Sequence, residues 1–274
     1  GKLLGRAPLE VIAISEPSQT LRNLVEPSPS IHVMSPMEEA VDLHKKNKLL
    51  NLPVVDLDQR LLGIIRNDEL MKAVRQDATE DIQALFGAGR EERALSKVSF
   101  AIRKRLPWLE INLATAFLAA SVVGIFEETI AKITVLAVFL PVVAGQSGNT
   151  GSQALAVTMR GLALREIRVG QWLKVARKEV AVGFFNGVAV AATTAIIVYF
   201  WADSFGLSIV IGVSMVFSMV IAGFSGAVIP MLLKSIGQDP AQSSSIILTT
   251  VTDIVGFLSF LGLATALTSM LGVN

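Results

Sequence analysis

One carboxylate stands where lipid tolerates it poorly. Asp253 lies inside the apolar run 242–271, and an ionisable group within a membrane segment is costly enough to mark a functional site by default. Gln242, Ser245, Thr249, Thr252, Asp253 and Gly256 follow three- and four-residue spacing and share one face of a helix, a stripe of polar groups leading to the acid. Asp239 precedes Asp253 by 14 positions, about 21 Å of rise in a continuous helix. A second polar tract, Gly145-Gln146-Ser147-Gly148-Asn149-Thr150-Gly151-Ser152-Gln153, puts three amides in nine positions of the uncharged run 133–159. Such a tract must face protein or water, as a contact that lets helices approach closely or as a polar pathway. Hydroxyls and amides with one carboxylate suit a hard, strongly hydrated cation: Mg²⁺ keeps several waters and needs only one or two carboxylates. A proton is equally satisfied by Asp253. The chemistry is therefore a cation or proton pathway with oxygen ligands and no soft-metal site.

The elements that carry these residues are membrane helices. Hydrophobic residues make up 52% of the 274 and charged residues 17%, with mean hydropathy +0.58, which is not the composition of a soluble surface. Residues 1–110 hold 16 basic and 16 acidic side chains and residues 111–274 hold 8 and 7, so a soluble part precedes a membrane part. Five runs, 107–127, 133–159, 180–201, 207–233 and 242–271, are long enough to cross a bilayer that takes about 20 residues each. They lack the alternation of barrel strands and read as helices. Arg103, Lys104 and Arg105 precede the first run; Arg160, Arg165, Arg168, Lys174, Arg177 and Lys178 fill the connection between the second and third. The positive-inside rule then puts the N-terminal part in the cytoplasm and Asn274 outside, with Trp108, Trp172 and Trp201 near the interfaces.

Several classes are excluded. A net charge of +1 offers no concentrated basic surface for nucleic acid. Cysteine is absent, which removes disulfides, thiolate metal sites and cysteine nucleophiles, and residues 1–30 have no apolar core of signal-peptide length. No Walker loop supports an ATP-driven pump. A lone intramembrane Asp without a second acid, and spans without histidine, speak against a membrane protease, so no enzymatic activity is expected.

In the soluble part Lys2-Leu3-Leu4-Gly5 returns 58 residues later as Arg60-Leu61-Leu62-Gly63, an internal repeat. Ser35-Pro36-Met37-Glu38 opens a helix over 37–48, followed by a strand at 52–55, a turn at 56–59, a strand at 61–65 and a helix from Asp68. Leu52-Pro53-Val54-Val55-Asp56, Leu61-Leu62-Gly63-Ile64-Ile65 and the helix opening at Asp68-Glu69 resemble a CBS domain. The repeat makes 1–29 the tail of a first CBS module and 30–76 a second, so a longer protein is expected. CBS pairs that hold adenine nucleotides carry a Ser or Thr and an Asp where this chain has Arg66 and Glu69, which argues against nucleotide binding. A helical link over 77–105, interrupted at Gly87 and Gly89, leads to the membrane part, 106–274. Its acids Asp77, Glu80, Asp81, Glu91 and Glu92 suit a solvated helix face.

The tract 145–153, the sequence Asp239-Pro240-Ala241 and the run Thr249-Thr250-Val251-Thr252-Asp253-Ile254-Val255-Gly256, in one chain with CBS modules and the link Ala78-Thr79-Glu80-Asp81-Ile82, resemble the MgtE family of magnesium channels. The fold class implied is mixed: an all-α polytopic membrane domain of five transmembrane helices preceded by a cytosolic α+β CBS module. The resemblance further implies a homodimer in the inner membrane, with the ion pathway on the two-fold axis between the second and fifth helices. Asp253 becomes the central ion site, with a backbone carbonyl at Thr249 and Asn149 beside it. Gly145, Gly148, Gln153, Ser245, Thr252 and Gly256 are expected to line the pore. Mg²⁺ is both transported and regulatory: bound at Asp56, Asp58, Asp68, Asp77, Glu80, Asp81 and Glu91, it would favour a closed state by linkage. An acidic N-terminal domain that the family carries has no counterpart in these residues, so weakened closure is expected. A proton- or sodium-coupled divalent-cation exchanger and a nonconducting CBS-regulated sensor are the other readings.

Overall fold

The computed structural model describes residues 1–47, 49–164 and 166–267 and separates into two units, Gly1–Thr79 and a second from Glu80 onward. In the first, α1 (Leu9–Ile14) and a turn of 3-10 helix precede β1 (Ile31–His32), α2 (Met37–Asn47), β2 (Asn51–Val55), β3 (Leu61–Arg66) and α3 (Asn67–Leu85), whose later turns belong to the second unit. β1 runs parallel to β2, pairing Ile31 with Val54, and α2 supplies the crossover that a parallel pair requires. β2 runs antiparallel to β3, pairing Leu52 with Ile65. Their connection is tight: Asp56 Oδ1 accepts from the Asp58 and Arg60 amides at 2.9 and 2.8 Å, and Gln59 takes φ 60°. Ile31, Ala40, Leu49, Leu52 and Leu70 form the core. The two repeated runs lie side by side, Lys2 bridging Arg60 and the Leu3 amide donating to Gln59 O at 2.8 Å.

The helix and strand expectations for 37–66 hold to within a residue, with Lys48 outside the described residues. The link expected over 77–105, interrupted at Gly87 and Gly89, is helical at both ends and broken between them. α3 ends at Leu85, where Gly87 takes φ +73° and the Gly87 and Ala88 amides close back on Ala84 O and Gln83 O, a left-handed terminus that favours glycine. Turns carry the chain to α4 (Val98–Ile125), which begins nine residues before the expected first span.

The second unit continues with α5 (Glu127–Lys132), α6 (Val135–Ala163), α7 (Trp172–Ala202), α8 (Phe205–Ser235) and α9 (Pro240–Ala266). α4, α7, α8 and α9 are long and apolar enough to cross a membrane. α6 has 29 residues, about 43 Å of helix, but the polar tract 145–153 keeps it out of that group, so five expected spans become four plus one long helix of mixed polarity. α8 is the centre, packed against α6, α7 and α9, with Leu136, Val143, Val198, Ile211, Met215 and Phe260 among the residues that close the core. Small residues set the spacing: a Cβ on Gly226 would lie 2.4 Å from Gly151 O, and one on Gly183 2.6 Å from Met219 O. Apolar side chains are as comfortable in lipid as against a neighbour, so helices there rely on such close approach. α4 packs on α9 and leaves Leu109, Leu113 and Phe117 exposed, as a lipid-facing helix does. The last expected span reached Leu271; α9 ends at Ala266, and residues 268–274 lie outside the described ones.

Candidate functional site

α6 and α9 bring the two polar tracts together. α9 starts at Asp239, whose Oδ1 accepts from the Ala241 amide at 2.9 Å, with Pro240 in the first helical position, where its missing N–H costs nothing. From there the hydroxyls form a ladder. Thr249 Oγ1 donates to Ser245 O at 2.9 Å and Thr252 Oγ1 to Thr249 O at 3.0 Å. Ser147 Oγ, fully buried on α6, donates to Ala144 O at 3.0 Å and across the contact to Thr252 O at 3.4 Å. A Cβ on Gly256 would meet Ser147 Oγ at 3.5 Å, one on Gly148 Thr252 Oγ1 at 3.9 Å, and one on Gly151 Leu248 Cδ1 at 2.9 Å.

Each tract therefore divides by face. On α6, Ser147, Thr150 and Gly151 are buried, while Gly145, Gln146, Asn149, Ser152 and Gln153 are exposed. On α9, Thr252 and Gly256 are buried against α6, Thr249 is exposed, and Ser245 and Asp253 are half-buried. The side chain of Gln242 lies outside the described ones. The single face expected for the stripe is thus two: Thr252 and Gly256 serve the helix contact, and Ser245, Thr249 and Asp253 stand towards the open side. Among the described residues, the exposed face of the α6 tract, with Gly145, Gln146, Asn149, Ser152 and Gln153, carries no apolar side chain to suit lipid. Among the described residues, nothing hydrogen-bonds or ion-pairs with the Asp253 carboxylate. Nor do they hold a group of three or more His, Cys, Asp or Glu placed for a metal. The groups that the two helices leave open here are one acid and neutral oxygens, a set that suits a hard cation keeping much of its own water, as Mg²⁺ does.

One end of the α6 and α9 contact is covered from within the same unit. Ser245 Oγ donates to Leu85 O, and Ala84 and Leu85 pack with Leu155, Met159 and Leu248. A cavity of about 430 Å³, lined by Gly87, Arg105, Trp108, Ser152, Ser245 and Thr249 among others, lies between this turn, α4, α6 and α9. Ion pairs of two arginines hold the turn. Arg90 joins Asp81, at 3.0 Å, to Asp239. Arg105 makes a two-pronged contact to Glu92, with Nε to Oε2 at 3.0 Å. Glu92 is 6% exposed, and the Arg105 guanidinium holds its carboxyl below the ordinary value.

Four of the remaining expected metal-binding acids are engaged locally. Asp56 orders its own turn, Asp68 pairs with Arg66 at 3.3 Å, Asp81 with Arg90, and Glu91 lies 4.0 Å from Lys104. Asp58 is exposed, Glu80 makes contacts of its own, and the side chain of Asp77 lies outside the described ones. Sequence reasoning missed Glu179, a buried carboxylate on a membrane helix. It fell one residue before the expected third span, but α7 begins at Trp172 and buries it two turns in, where a Cβ on Gly223 would lie 2.6 Å from Glu179 O. The pattern Glu179, Gly183, Gly187 was its sequence signal.

The fold defines a polytopic membrane protein whose helices α6 and α9 meet along polar, small-residue faces beside a carboxylate unpaired among the described residues. Residues 140–263, which hold both faces, match the family MgtE, described as a divalent cation transporter. Three proteins named "Magnesium transporter MgtE" are similar along most of the chain. That of Bacillus subtilis is 30% identical over 266 residues, 97% of this chain and 59% of its own length. That of Enterococcus faecalis is 32% identical over 86% of this chain and 52% of its own length. That of Thermus thermophilus is 31% identical over 96% of this chain and 59% of its own length. The chain belongs to the MgtE family and spans between half and three fifths of the length of these relatives.

Proposed function

We propose that this chain forms the conducting part of a Mg²⁺ channel of the cell (inner) membrane, with the ion path between α6 and α9 of two copies. The observation that carries the reading is Asp253: a half-buried carboxylate without a partner among the described residues, beside exposed Thr249 and against a helix that exposes Asn149 and Gln153. An isolated charge at that depth is expensive unless a cation and its water complete it. One acid is few for a divalent ion, and two copies related by a two-fold axis supply a pair from the same position. α6, long enough to span and polar on one face, then counts as the fifth crossing. A cytoplasmic position for that connection and the N-terminal unit, with the C-terminus outside, is supported by the six basic residues between 160 and 178.

The first unit acts as a CBS module, a reading supported by its order of β1, α2, β2, β3 and α3 and by the pairing of its two repeated runs. Cytosolic Mg²⁺ at Asp56, Asp58, Asp68, Asp77, Glu80, Asp81 and Glu91 favours closure through the turn after α3, which sits on Ser245 at the covered end of the path. No ATP is needed; the membrane potential and the gradient drive uptake.

The test is Mg²⁺ entry into proteoliposomes loaded with a Mg²⁺-sensitive dye, comparing wild type with Asp253→Ala, with and without an imposed pH or Na⁺ gradient. Entry without a coupling gradient that is lost in the variant is expected. Entry that requires the gradient would assign the unpaired carboxylate to a coupled exchanger, and unchanged flux in the variant would remove Asp253 from the path.

A further inference from the structure

Away from the α6 and α9 contact, the membrane unit holds a second polar recess. A cavity of about 280 Å³ lies between α6 and the start of α7, lined by Thr158, Gln171, Lys174, Lys178 and Glu179 among others. Thr158 is 1% exposed, and its Oγ1 has no partner among the described residues. Buried hydroxyls are bonded as a rule, so a cavity lined by an unbonded one calls for a group that supplies the partner. Four charged residues line the recess, Lys174 and Lys178 with Glu166 and Glu179, and the segment around it is positive. Residues 160–179 hold six basic and two acidic side chains, and Glu179 is already neutralised by Lys178 at 2.5 Å. Glu166 lines the exposed rim, facing a segment that also exposes Arg168, Lys174 and Arg177. A metal cation is disfavoured where two lysines line the same space.

The neighbourhood points to the bilayer as the source of the occupant. Trp172 and Leu173, in the first turn of α7, are 45% and 44% exposed, and Val182 and Phe185 continue an exposed apolar surface along the helix. Exposed tryptophan beside basic residues at the end of a spanning helix marks headgroup level. Basic pockets between helices at that level take anionic lipid headgroups.

We propose that this recess binds the phosphodiester headgroup of an anionic phospholipid, with Lys174 on the charge, the Thr158 hydroxyl donating to a phosphate or glycerol oxygen, and the acyl chains lying along α7. The test is native mass spectrometry of the 274-residue chain released from nanodiscs of mixed phosphatidylcholine and phosphatidylglycerol. Wild type is expected to retain phosphatidylglycerol in preference to phosphatidylcholine. Lys174→Gln and Thr158→Val are each expected to lower that retention about fivefold, and millimolar inorganic phosphate is expected to leave it unchanged. Equal retention in wild type and variants overturns the proposal, and so does displacement of the lipid by inorganic phosphate, which would give the recess to a free anion. Lys174 is exposed, so Lys174→Gln keeps the fold and decides the test if Thr158→Val does not express.

Discussion

Ser147 on α6 donates its hydroxyl to the backbone carbonyl of Thr252 on α9, so the two polar tracts meet at their smallest residues. That contact uses one face of each helix and leaves the other face of α6, with Asn149, open. Packing and the proposed transport chemistry therefore fall on different residues of the same short tracts, and variants should separate them.

Thr252→Val removes a buried hydroxyl that closes on Thr249 O, while Asn149→Ala removes an exposed amide. Thr252→Val is expected to lower stability by about 1 kcal/mol, the net contribution of an ordinary hydrogen bond. Asn149→Ala is expected to leave the melting temperature in detergent unchanged and to cut Mg²⁺ flux several-fold. Melting curves and dye-reported flux on the same two preparations check both, and equal loss of stability in the two would abolish the distinction.

Close approach gives a second contrast. A Cβ on Gly226 would sit 2.4 Å from Gly151 O, whereas one on Gly148 would lie 3.9 Å from Thr252 Oγ1. Gly226→Ala must push α8 from α6, an overpacking cost of about 1–3 kcal/mol. Gly148→Ala fits ordinary contact and should melt as wild type does. Thermal unfolding that ranks the two the other way would contradict the helix spacing described.

Much of this was legible in the chain. The alternation and turn chemistry of 52–65 located the sheet, because Asp56 closes its turn by bonds within five residues. The polar tract and Asp253 singled out α6 and α9, since amides and carboxylates are rare at that depth without a purpose. The division of each tract into two faces was not legible, because it depends on where α8 presses against Gly151 from a distant part of the sequence. The break of the link after Leu85 was signalled by Gly87, but the pairing of Arg105 with Glu92 that fixes the turn is tertiary. Glu179 escaped notice because a carboxylate at the edge of an apolar run looks the same whether water or α8 covers it.

Glu92 predicts a pH dependence. Its carboxyl titrates below the ordinary 4.5 in the folded protein, chiefly because Arg105 donates to it. A lowered folded value means that the unfolded chain binds the proton more readily. The pair's contribution is therefore complete above about pH 4.5 and is lost as pH falls through the lower folded value. Wild type should lose melting temperature across that acidic window more steeply than Glu92→Gln, which has no charge there to titrate. Parallel curves would show that the pair does not couple to folding.

The last prediction concerns the other buried acid. Glu179 Oε1 lies 2.5 Å from Lys178 Nζ, the acid 5% exposed and the lysine 58%. Lys178→Ala strands a charge between α6, α7 and α8, whereas Glu179→Gln removes the charge and keeps the shape. Breaking one side of a fully buried pair costs about 3–5 kcal/mol, and here the cost should be smaller because the lysine is reached by solvent or headgroups. Lys178→Ala should therefore melt below wild type, Glu179→Gln should melt near it, and the double variant should regain most of what Lys178→Ala loses. Additive losses in that double-mutant cycle would mean that the two side chains act independently and that the carboxylate is satisfied by another group.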